Sequence, residues 1–325
     1  MKTDMLLAKS DEPGVINLAV GEPGCLQDAF SLYGLYESTD FMPKQSYPPL
    51  AGTQPLLEEL RQLHPRSHIV VAVGAKHALL AAIYAYRLIR ASGNSHMTVV
   101  HRAPYWPSHK TLAEFVGCSF VASRPGAVNE IRVNTSPNNP DGSIDHTPCD
   151  IWDAAYAHEV YGFDAKDTPL HETAVYSAAK LFGMSGDRVG WLVTSNPEVA
   201  RIAAAYVEST TSGVSIYSQQ RVADVLWRIH EHPQTAQAAY EYASGRMREN
   251  ALDLENVLDQ VIFFNRGMFA WLKVDEALRR RFAAAKVRYL PGEACGKRGW
   301  ARINLGASDF IFDAAIVKLT KTQMA

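Results

Sequence analysis

The segment VYSAAKLFGMSGDRVGWLV, residues 175–193, sets Lys180 three residues after Ser177 and eight before Arg188, in a stretch rich in glycine and alanine. A lysine amine attacks carbonyl carbon, and a hydroxyl beside a guanidinium is a donor pair suited to a phosphate. Other stretches carry matching parts. VAVGAKHALL places Gly74, Ala75 and Lys76 at a predicted helix N-terminus, where free backbone N–H groups and the helix dipole favour an anion. Lys76 is expected to serve there through its backbone more than its ammonium. APYWPSHK puts Trp106 just after a predicted strand, NTSPNNPDGS puts Asn138 and Asn139 before a Pro/Gly turn, and WDAAY puts Asp153 and Tyr156 at a predicted strand end. Together these are the parts for holding a charged, planar, phosphorylated aldehyde. The amine forms a Schiff base, a carboxylate meets a pyridinium nitrogen, and donors remain for a phenolate oxygen and a phosphate. His101, His109 and the other histidines form no spacing that can be interpreted.

Positioning such a set requires strands whose carboxyl ends converge, because ligands of α/β sheets sit in the loops that follow them. HIVVAVGAKHALLAAIYAYRLIRASG reads as a short β-run, a tight glycine turn and a long helix with Leu79, Ile83, Tyr86 and Ile89 at helical spacing. Apolar, often β-branched runs follow at 97–101, 118–123, 131–136, 150–156, 173–177 and 189–195. Several are apolar throughout, as central strands covered on both faces are. The expected core is therefore α/β with a mostly parallel sheet flanked by helices. After about residue 196 the pattern turns helical to about 258, then returns to short strands in FFNRGMFAWLKV and GWARINLG. Three stretches are expected: 1–46 as an irregular N-terminal arm with part of a small domain, 47–235 as a large domain, and 236–325 as a smaller α+β domain.

Composition narrows the function class. With 325 residues, 47% of them hydrophobic, the chain can bury one large core and a satellite. Lys and Arg total 32 against 34 Asp and Glu, a net charge of -2, so no basic field exists to recruit nucleic acid or an anionic membrane. The four cysteines are widely spaced, without a metal-ligand pattern, which fits a reducing compartment. No apolar run approaches the roughly 20 residues a bilayer span needs. The expectation is a cytoplasmic protein without nucleic-acid, membrane or metal partners.

Pyridoxal 5'-phosphate satisfies every part of the constellation. The order and spacing, from INLAVGEP to WARINLG, resemble the fold-type I pyridoxal-phosphate enzymes of the aspartate aminotransferase superfamily. The wording SPNNPDG, DxAY and SGDRVGW, with only 13 residues between Asn139 and Asp153, is similar to the alliinase and tryptophan aminotransferase branch. That resemblance implies roles. Lys180 links the cofactor and moves the Cα proton, while Asp153 keeps the pyridine nitrogen protonated. Tyr156 and Asn139 hydrogen-bond the ring oxygen, and Trp106 stacks on the ring face. Ser177, Arg188 and the backbone at Gly74, Ala75 and Lys76 anchor the phosphate. Arg302 grips the substrate α-carboxylate, with Asn139 beside it and Gly21 closing over it through backbone. Tyr47 reaches a phosphate in the neighbouring subunit, so a homodimer with shared sites is implied.

The expected activity is an aminotransferase acting between an amino acid and a 2-oxo acid. Segment ESTTSGVSIYSQQ offers no arginine where dicarboxylate-specific members have one, so the donor is not expected to be strictly dicarboxylic. Two other readings share the same residues: a C–S lyase or specialised amino-acid-modifying enzyme, and a cofactor-binding sensor without turnover.

Overall fold

The computed structural model describes residues 13–36, 47–65, 67–91, 96–122 and 129–322. Strand β1 (Ile16–Asn17) leads to helix α1 (Gly24–Leu32), which lies in the stretch expected to be irregular. Its Cys25, Leu26, Ala29 and Phe30 are buried, so tertiary packing rather than propensity holds this short helix. Next come α2 (Gln54–Leu63), β2 (His68–Val73) and α3 (Gly74–Arg90). Leu79, Ile83 and Tyr86 of α3 are buried as their spacing requires, while Ile89, in the last turn, is 41% exposed.

The chain continues through β3 (Thr98–Val100), α4 (Ser108–Phe115), β4 (Ser119–Val121), β5 (Glu130–Thr135) and β6 (Cys149–Asp153). Then β7 (His171–Ser177) runs directly into the four-residue helix α5 (Ala178–Leu181), and β8 (Val189–Thr194) follows. Helix α6 (Pro197–Thr211) starts on Asn196, whose side chain accepts from the N–H groups of Glu198 and Val199. Helices α7 (Ile216–Glu231) and α8 (Pro233–Leu258) precede β9 (Phe269–Lys273), α9 (Glu276–Ala285), β10 (Val287–Arg288), β11 (Leu290–Pro291), β12 (Trp300–Asn304) and α10 (Asp309–Lys321).

Seven strands form one sheet in the order β2-β8-β7-β6-β5-β3-β4. Strand β8 is antiparallel to both neighbours, and the other adjacent pairs are parallel. Side chains alternate between the faces, so sequence neighbours enter different cores. Val70, Ala72, Val175 and Leu192 join α3 and α6 on one face. Val71, Ala174 and Trp191 join α1, α2, α7 and α8 on the other, in a cluster that continues to β9, β12 and α10. All six residues of β8 are buried, which explains its unbroken apolar run. Beyond this sheet, β11, β12 and β9 form a small antiparallel sheet, and β1 pairs in parallel with β10. Among the described residues no helix is long and apolar enough to cross a membrane.

Candidate active site

Register places the chemistry. Thr135 of β5 pairs with Asp153 of β6, and Asp153 pairs with Val175 of β7, so the carboxyl ends of these strands lie level. There a cavity of about 410 Å³ brings together Gly21, Ala75, Lys76, Trp106, Asn139, Asp153, Tyr156, Ser177, Lys180, Arg188 and Arg302. Gly74 adjoins it, and Tyr47 is 85% exposed and outside it. A second cavity of about 430 Å³, lined by His101, Arg102, Asn134, Asp145 and Cys149 among others, takes Asn138, which therefore stands apart from Asn139 and the rest of the predicted set.

Lys180 sits on α5, immediately after the strand end, so its side chain enters the cavity from the carboxyl end of β7. Its amine donates to the Gly21 carbonyl. Burial, then the positive charge of Arg302, bring the amine down to about 8, with Glu22 opposing them. The amine is therefore deprotonated far more readily than a surface lysine.

Asp153 is held from behind. His109 Nε2 lies 3.2 Å from Asp153 Oδ2, with His109 wholly buried, and the Ala155 N–H donates to Oδ1. His101 stacks on His109 with centroids 4.7 Å apart. The histidines that offered no readable spacing thus line up behind Asp153. Their signal was available locally, since His109 stands three residues after Trp106, and the two rings meet edge to face at 5.4 Å.

At the opposite wall Arg302 is fully buried on β12. Its Nη1 donates to Asn139 Oδ1 at 2.7 Å and its Nη2 to the Ala19 carbonyl at 2.6 Å, while Nε has no partner among the described residues. The guanidinium carbon lies over the Phe269 ring, 4.1 Å from its centre, and Phe269 also meets Tyr156 edge-on. Asn139 Nδ2 donates to the Tyr156 hydroxyl at 3.4 Å, so one asparagine ties the arginine to the tyrosine. Burial raises the Tyr156 phenol well above its ordinary value, against the pull of Arg302, and it stays protonated. Sequence reasoning missed Phe269, because an aromatic in a buried strand carries no signal beyond packing.

The remaining end is built for an anion. Gly74, at φ +75°, opens α3, whose first-turn N–H groups have no carbonyl partner within the helix, and the Arg188 guanidinium lies against it. Arg188 Nη1 donates to the Ser185 carbonyl at 2.9 Å, and the Ser185 hydroxyl is buried with no partner among the described residues. Ser177, the unpartnered Ser185 hydroxyl, Arg188 and the helix N-terminus are a set of donors suited to a phosphate. With a carboxylate across the cavity and an amine between them, the residues present fit pyridoxal phosphate. Ser185 was not among the predicted positions.

The family model Allinase matches residues 63–266, more than half of the chain. The chain belongs to the allinase family. Its curated relatives include tryptophan aminotransferase-related protein 2 of Oryza sativa subsp. japonica, 26% identical over 70% of this chain and 45% of that protein. Alliin lyase 2 of Allium sativum is 24% identical over 50% of this chain and 38% of that protein. This allinase-family chain spans about half the length of the curated relatives it matches. Aspartate aminotransferase from Thermus thermophilus with maleate superposes at a TM-score of 0.72, with 20% identity, over 98% of this chain and 94% of that one. The fold is thus aspartate aminotransferase-like, in the branch that the SPNNPDG and SGDRVGW wording indicated, and the family is pyridoxal-phosphate-dependent.

Proposed function

We propose that the chain is a pyridoxal-phosphate-dependent aminotransferase that moves an amino group between an L-amino acid and a 2-oxo acid, and that its donor is neutral or aromatic rather than strictly dicarboxylic. One observation carries this reading: a lysine amine lowered to about 8, a carboxylate backed by a buried histidine and a phosphate-shaped donor set converge on a single cavity. Pyridoxal phosphate, bound there, supplies an electron-poor ring that stabilises negative charge at the substrate Cα. Lys180 would hold the cofactor through its amine and would carry the Cα proton as base and acid. Asp153, hydrogen-bonded to His109, would meet the ring nitrogen and keep it protonated. Tyr156 and Asn139 donate toward the ring oxygen, and Trp106 covers a ring face. Ser177, Ser185, Arg188 and the α3 N-terminus take the phosphate. Arg302 offers two parallel N–H donors to the substrate carboxylate, for which Asn139 and Ala19 are the present acceptors.

Tyr47, exposed and outside its own cavity, is assigned to the site of a second copy, and the working assembly is a homodimer. The large unit is placed at 47–235 and the small one at 236–325. The pairing of β1 with β10 and the packing of α1 on α8 join the N-terminal stretch to the small unit.

Incubation with pyridoxal phosphate and a panel of amino acids tests the activity. Transamination yields the 2-oxo acid of the donor and the pyridoxamine form of the cofactor. The relation to alliin lyase favours one second reading, β-elimination, which instead breaks the Cβ–S bond of a cysteine-type substrate and releases the sulfur fragment, ammonia and pyruvate without forming the pyridoxamine species. A chain that binds the cofactor and answers no amine is a sensor, which would overturn both.

A further inference from the structure

Helix α5, which carries Lys180, is too short to satisfy its own carbonyls. Side chains meet the carbonyls at its end one by one, the Gly183 carbonyl accepting also from the Ser185 N–H. The Tyr161 hydroxyl donates to the Lys180 carbonyl at 2.7 Å, Tyr240 to Leu181 at 3.2 Å, Tyr36 to Phe182 at 2.5 Å, and Gln27 Nε2 to Gly183 at 2.7 Å. Four consecutive carbonyls are therefore met by four side chains. Gln27 lies on α1, Tyr36 just beyond it, Tyr240 on α8, and Tyr161 in the loop after β6, so none comes from a strand of the sheet that bears Lys180. Burial raises all three phenols above their ordinary value, so each remains a donor through the neutral range. Glycine is required at the end of the row. Gly183 has φ +70°, and a Cβ there would stand 2.6 Å from the Tyr36 hydroxyl and 2.9 Å from Gln27 Cγ.

We propose that Tyr161, Tyr240, Tyr36 and Gln27 are positioning residues that clamp the α5 backbone so that the Lys180 amine is aimed at the cofactor carbonyl, and that they tie this aim to the placement of α1 and α8. The inference rests on the reading of Lys180 as the cofactor-linking amine. Packing alone would need polar partners for these carbonyls but would not make them a condition for the chemistry of Lys180, and this difference can be measured.

Two probes separate the roles: pyridoxal phosphate, which can link to Lys180, and pyridoxine phosphate, which lacks the aldehyde and reports only the cavity. In Tyr161→Phe the covalent linkage rate, followed by the visible absorbance of the bound cofactor, falls about tenfold, as loss of one buried hydrogen bond implies. The affinity for pyridoxine phosphate stays within about twofold, because the hydrogen bond lost at the Lys180 carbonyl does not touch the phosphate donors. Tyr240→Phe and Gln27→Ala act in the same direction from α8 and α1. Gln27, only partly buried, serves if Tyr161→Phe fails to fold. Unchanged linkage rates in these variants, or parallel losses for both probes, overturn the clamp. A wild-type protein that never links pyridoxal phosphate overturns instead the reading on which it rests.

Discussion

Gly190→Ala is the sharpest small perturbation of the cofactor site. Gly190 lies in β8 beside Ala72 of β2 and Ser177 of β7, where the start of α3 crosses the sheet. A Cβ at this position would stand 2.5 Å from the Gly74 carbonyl carbon and 2.9 Å from the Tyr176 carbonyl oxygen, and it would also press on the Ala75 nitrogen. All three are backbone atoms, so no side-chain rotation relieves the contact. Reaching an ordinary carbon–carbon separation of about 3.5 Å requires a shift of about 1 Å. The sheet is pinned by ladders on both sides of β8, so the start of α3 moves, carrying the N–H groups that face the phosphate. Overpacking of this kind costs about 1–3 kcal/mol, which corresponds to a roughly five- to 150-fold weaker cofactor. Titration with pyridoxal phosphate and with pyridoxal, which lacks the phosphate, reads the effect. The variant should lose affinity for the first and keep most of its affinity for the second. Equal losses for both ligands would mean that the α3 N-terminus does not hold the phosphate, and unchanged affinity would refute the steric argument.

Three further expectations follow from the same geometry. Because burial and Arg302 bring the Lys180 amine from 10.5 down to about 8, linkage of the cofactor should rise with pH through about 8 and then level; a rate still rising near 10 contradicts the placement. At pH 7 about one amine in ten is then free, against about one in 3,000 for an unshifted lysine. His109→Phe removes the ring that donates to Asp153, and single-turnover rates with an amino donor should fall by about ten- to 100-fold, the range of a hydrogen bond to a charged group, with the cofactor still bound. Arg302→Leu should raise the KM for amino acids by about tenfold or more while leaving reaction with an amine that has no carboxylate nearly unchanged.

Much of the site was legible because its chemistry is local in sequence. Ser177, Lys180 and Arg188 fall within one strand–helix–strand passage, and Asp153 with Tyr156 marks a strand end, so spacing alone reports their convergence. His109 stood three residues after Trp106 and went unread, whereas Phe269 and Ser185 were not legible as site residues, for their meaning arises only when β9, the loop after α5 and the sheet are folded together. The tyrosines behind α5 were hidden for the same reason: each is an ordinary buried aromatic until its hydroxyl is seen to meet one particular carbonyl. Helix α1 was misread as irregular because EPG announces a turn, and its apolar residues gain their helical register from packing against α8.

The most direct measurement is reductive trapping followed by peptide mapping. The protein is incubated with pyridoxal phosphate, treated with borohydride and digested. The account predicts one pyridoxyl-modified residue, Lys180, in the peptide that contains SAAKLFGMSGDR. Modification spread over surface lysines, or placed at Lys76 with Lys180 untouched, would contradict it.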